Sequence, residues 1–80
     1  AGVIATVERG QGEILEIQLS ENFKERPLYE IKMPVPSVIA IVRRGSRVII
    51  PKGQTEIKKN DKLLIFTKSD DVVKVKEYFK

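Results

Sequence analysis

The chain has 80 residues, 41 % hydrophobic and 32 % charged, with 15 basic and 11 acidic side chains and neither cysteine nor histidine. That length holds one domain and not two. Having no cysteine excludes disulfides and thiolate chemistry, and having no histidine removes the commonest general base and the commonest transition-metal ligand. A chain this short buries only about 60 % of its extended surface on folding, which makes dimerisation the obvious further source of buried area. No run approaches the roughly 20 apolar residues of a membrane-spanning helix, and no signal-peptide pattern opens the sequence. The domain therefore reads as cytoplasmic. A start at Ala1 implies an excised fragment of a longer protein or a processed terminus. The net charge of +4 divides unevenly: residues 1–31 hold three basic and six acidic side chains, a net of −3, and residues 32–80 hold 12 and five, a net of +7.

In chain order, Val3–Val7 is a short strand or the tail of a linker, and Gly10 and Gly12 bracket a turn. Leu15, Ile17 and Leu19 alternate with Glu16 and Gln18, the signature of a half-buried strand. After the polar connector Ser20–Arg26, Pro27–Ile31 is expected to form a short helix with proline at its first position, stopped by Pro34 and Pro36. The β-branched run Ser37–Val42 reads as a central strand covered on both faces. Arg43-Arg44-Gly45-Ser46 reads as a four-residue hairpin loop, with Arg47–Ile50 returning antiparallel. Pro51 ends that strand because it donates no ladder hydrogen bond, and Gly53 offers a positive φ to the following turn. Leu63–Thr67 is a further buried strand. Ser69 is a plausible N-cap for a closing amphipathic helix, with Asp70 and Asp71 favouring its positive end and Val72, Val75 and Phe79 on its apolar stripe. The sum is a small α+β domain with a mostly antiparallel sheet, a short helix after the first strand and a C-terminal amphipathic helix.

The words "EILEIQL", "RPLYEI", "VIAIVRRGSRVIIPKGQTEIKKNDKLLIF" and "DDVVKVKEYF", in that order over residues 13–80, resemble the TrkA C-terminal domain family, also called RCK C-terminal domains. Asn60 stands where the family usually has glycine, a mild departure because asparagine tolerates the left-handed region. The resemblance implies a dimeric, non-catalytic, ligand-sensing domain of a potassium channel or transporter regulator, peripheral to a membrane transport complex. It further implies that residues 1–12 end an interdomain linker or add a short extra strand. NAD or ATP would belong to a preceding Rossmann-like domain. The same family occurs in cation–proton antiporters and transcription regulators, and a purely structural dimerisation module is a further alternative.

Two readings of the basic hairpin stand side by side. Arg43, Arg44 and Arg47 either keep a solvated strand end soluble or form an anion site, since guanidinium forks hold phosphate bidentately and a dimer axis would double them. The resemblance implies cyclic di-AMP as an effector at the dimer cleft in some members, carried over to Arg43, Ile49, Ile50 and Pro51. Whether Arg43 or Arg44 serves depends on the hairpin's register. Glu56, Asp61, Asp70 and Asp71 do not make a calcium loop, and no serine has a histidine to activate it. Nucleic-acid binding is disfavoured because Phe66 and Phe79, two of the five aromatics, fall on buried faces by pattern.

Overall fold

The computed structural model describes residues 2–7 and 10–80. Among them the chain forms strands β1 (Gly2–Val7), β2 (Gly12–Gln18), β3 (Arg26–Pro27), β4 (Ser37–Arg44), β5 (Arg47–Ile49), β6 (Glu56–Ile57) and β7 (Lys62–Lys68), then helix α1 (Val72–Tyr78). Five strands make an antiparallel sheet in the order β1-β2-β7-β4-β5, and β3 with β6 adds a two-residue ladder.

Period-two alternation places Leu15 and Ile17 of β2 and Leu63 and Ile65 of β7 on one face of the sheet, all buried. Ile39 and Val42 of β4 join them from a spacing of three rather than two. The cause is a register shift between Ile39 and Ile41, which places Ile39 opposite Ile65 and Val42 opposite Leu63 with Ala40 as the extra residue. Leu19, Ile31, Ile57 and Val75 of α1 close this core, with Phe23, Leu28, Met33, Val72 and Phe79 packed at its margin. Among the described residues the opposite face has no such cover. Ile14, Phe66 and Val38 form one row across β2, β7 and β4, and Leu64 and Ile41 begin the next. Phe66 and Val38 are left 40 % and 57 % exposed.

Several expectations change here. The segment expected as a helix at Pro27–Ile31 is one 3₁₀ turn, Leu28–Glu30, because its residues bond outward: Leu28 N–H donates to the Thr55 carbonyl and Tyr29 N–H to the Gly53 carbonyl, both at 2.9 Å. β4 is covered on one face only, and Phe66 lies on the open face, since Leu63, Ile65 and Thr67 take the core side of β7. The hairpin loop is two residues long, Gly45-Ser46, because Arg44 pairs with Arg47. Gly45 has φ +61°, which suits the first position of the primed turns that match strand twist. Gly53 is not among the positive-φ residues, and its freedom is not needed there. Asn60 does take the left-handed conformation, with φ 67°. Ser69 does not cap the helix. Its hydroxyl donates to the Gly10 carbonyl and its N–H to the Gln11 carbonyl, so it ties the chain after β7 to the turn before β2. Gly2–Val7 pairs with β2 as an edge strand.

Candidate functional site

The β4–β5 hairpin carries the three arginines, and the sheet separates them. Arg44 pairs with Arg47 and Val42 with Ile49, while Arg43 pairs with Val48. Alternation therefore puts Arg44, Arg47 and Ile49 on the core side of the hairpin and Arg43 on the open face. Ile50 is 69 % exposed and Pro51 half-buried beyond the strand end. The six candidate residues thus occupy one hairpin but do not converge on one point.

Arg44 has an internal partner. Its Nε donates to Asp61 Oδ1 and its Nη2 to Asp61 Oδ2, each at 2.8 Å, and Nη2 also reaches the Glu56 carbonyl at 2.9 Å. Such a planar fork on a carboxylate is the strongest form of side-chain pairing. Asp61 is 1 % exposed, and Oδ2 accepts a third bond from Lys58 N–H at 2.9 Å. Burial by itself would push the Asp61 carboxyl up. The Arg44 hydrogen bonds, the Lys58 N–H and the Arg44 charge outweigh it and hold the carboxyl below its usual range. On the other side of the pair, the bonds to Asp61 raise Arg44 against its own desolvation, with the nearby Glu25 and Glu56 adding to the rise. The sequence singled out Asp61 only as a weak metal candidate. It is instead the clamp that fixes the hairpin to the loop before β7.

The loop 58–61 is held from three sides. The Asn60 side chain donates to Glu21 at 2.9 Å, Gln18 donates to the Asn60 carbonyl at 3.3 Å, and Lys59 N–H donates to Glu25 at 3.1 Å. Glu21 and Glu25 of the acidic connector thus dock on this loop through an amide and a backbone N–H, and the Glu25 charge also bears on Arg44.

The open face has a polar end and an apolar end. Gln18, Lys62 and Arg43 form its polar row across β2, β7 and β4, with the exposed Val48 of β5 beside Arg43. A cavity of about 280 Å³ opens there, lined by Gln18, Arg43, Gly45, Asn60 and Lys62. At the other end, Pro36, Ser37, Val38, Phe66, Thr67 and Lys68 line an apolar hollow of about 220 Å³. Sequence reasoning missed Lys62, Gln18 and Phe66. Their alignment with Arg43 and Val38 depends on strand register, which only the β2–β7–β4 pairing reveals.

Comparison with known proteins fits this fold. The TrkA-C domain family profile matches residues 13–80. The chain is 33 % identical over 79 residues to Trk system potassium uptake protein TrkA homolog 1 of Methanosarcina mazei and 35 % identical over 79 residues to homolog 2 of the same organism. Each match covers 96 % of this chain and 18 % of the relative, so the chain spans less than a fifth of those proteins. A solved structure described as "Structure of RCK domain with cda" superposes with a TM-score of 0.72 at 20 % identity, covering 84 % of this chain and 97 % of that one.

Proposed function

Because the chain belongs to the TrkA-C domain family, we propose that it is a non-catalytic, ligand-sensing and dimerisation domain of a potassium uptake system. In this reading it works on the cytoplasmic side, peripheral to a membrane transporter. A second copy of the chain is its partner, and a small anionic effector such as cyclic di-AMP binds beside the hairpin. The neighbouring solved structure, an RCK domain described as "with cda", motivates the ligand. The observation that carries the reading is the open face of the sheet. A monomer has no use for a three-strand apolar row, Ile14–Phe66–Val38, turned to water. A standard interface takes about 800 Å² from each partner, a modest share of the 5355 Å² this chain exposes.

The mechanism is population shift. An effector that binds one arrangement of two copies better than another biases that arrangement, by no more than its difference in affinity, and the attached transport subunit reads the change. Sedimentation and calorimetry test the two halves of the proposal. The chain should sediment as a dimer, and Val38→Glu with Phe66→Glu should make it monomeric. Cyclic di-AMP should release or absorb heat on binding. A dimer that gives no signal with any nucleotide would identify a purely structural module.

A further inference from the structure

We infer that Arg43 and Lys62, with the Gln18 carboxamide, form a phosphate-binding subsite at the polar end of the open sheet face. The two cations are direct cross-strand partners in antiparallel strands, Arg43 on β4 and Lys62 on β7. Residues so placed have Cβ atoms about 4.5–5.5 Å apart, and like charges in that position destabilise the pair. A fold with nothing to bind there has reason to place an acid at one of the two positions. This one does not. Among the described residues neither Arg43 nor Lys62 has a carboxylate within 4.0 Å.

The carboxylates in reach are committed elsewhere or displaced. Asp61, next to Lys62 in sequence, is buried under Arg44. Glu21 accepts from the Asn60 side chain. Glu16, on the open face of β2, sits opposite Leu64, one diagonal step from Lys62. The cavity of about 280 Å³ therefore has two unpaired cations and two carboxamides in its lining and no acid. Gly45 contributes no side chain, and nothing stands within 4 Å of where its Cβ would be, so the hairpin backbone leaves the rim open. A guanidinium fork and an ammonium lining one cavity suit the several oxygens of a phosphate ester.

This deepens the effector reading above, with which it shares Arg43, and adds Lys62 and Gln18 as residues that reading does not use. It also separates the phosphate contact from Arg44, whose fork is already filled.

The test is a titration of the chain with inorganic pyrophosphate and, separately, cyclic di-AMP, followed by the Arg43 Nε–H, Gln18 side-chain and Gly45 amide NMR signals and by calorimetry. Saturable shifts at these three groups are expected. Lys62→Gln should weaken binding about tenfold or more, and its melting temperature should be unchanged or raised because a like-charge pair is relieved. Arg43→Gln should behave the same way. Cyclic di-AMP affinity unchanged in both variants overturns this subsite and removes Arg43 from the effector reading, which the binding itself still supports. Pyrophosphate binding at the subsite without cyclic di-AMP binding supports the subsite and sinks that choice of effector. Shifts that instead follow Lys74 and Lys76 on α1 overturn the subsite.

Discussion

At the residue scale, two adjacent arginines have opposite duties. Arg44 is held by a carboxylate that is 1 % exposed, whereas the Arg44 side chain itself is 28 % exposed. Arg44→Ala strands the buried carboxylate and is expected to cost about 3–5 kcal/mol, and Asp61→Asn should cost less because the guanidinium it leaves still reaches solvent and the Glu56 carbonyl, both readable in urea unfolding. Arg43→Ala, at an exposed side chain, should stay within about 0.5 kcal/mol. Equal losses at 43 and 44 would contradict the division. The pair also sets an acid limb. The folded carboxyl of Asp61 is held below its usual range, which is about 3.9 in an unfolded chain. Between those two values the unfolded state binds more protons, so stability rises with pH there. The contribution is complete above about pH 3.9 and is lost as pH falls through the folded value. Melting temperatures across pH 2–6 should show a steeper acid decline for the parent chain than for Asp61→Asn.

At the element scale, the one-residue bulge at Ala40 decides which arginine turns inward. Strict alternation from buried Ile39 would carry Ile41 and Arg43 to the core side. The shift between Ile39 and Ile41 hands that side to Val42 and Arg44 instead. Slipping a strand by one residue exchanges its faces, so a bulge invisible in the β-branched run "SVIAIV" assigns the roles of the whole hairpin. The tight turn that follows is easier to test. Gly45 at φ +61° has open space around its missing Cβ, so Gly45→Ala should cost only the left-handed penalty, about 1–2 kcal/mol, with no steric addition. At Asn60, glycine would relieve φ 67° but lose the bond to Glu21, and the two effects should nearly cancel in thermal melts. Ser69→Ala removes the hydroxyl bond to Gly10 and is expected to cost about 1 kcal/mol, with faster amide exchange at the turn before β2.

At the scale of the whole molecule, the domain is a sheet with one face packed and, among the described residues, one face open. Alternation in "EILEIQL" and the closing stripe of Val72, Val75 and Phe79 were enough to find the strand, the helix and part of the core, Leu15, Ile17, Leu19 and Val75, because burying apolar side chains at fixed period is a local property of sequence. The order of the words was enough to place the chain among TrkA-C domains, a placement that the profile match over residues 13–80 bears out. Other features were not legible. Ser37–Val42 and Leu63–Thr67 look fully buried in sequence, yet Val38 and Phe66 are exposed, because an apolar residue is written the same way whether it faces the core or the open side of the sheet. The Ser69 hydroxyl left its cap for a carbonyl 59 positions away. Sequence by itself determined the long strands, the closing helix, the α+β class and the place of the basic hairpin, all of which follow from neighbours along the chain. Only the tertiary structure decided that Asp61 consumes Arg44, that Arg43 stands opposite Lys62, and which face of the sheet stays open. Those outcomes depend on register between strands, which no local run of residues encodes.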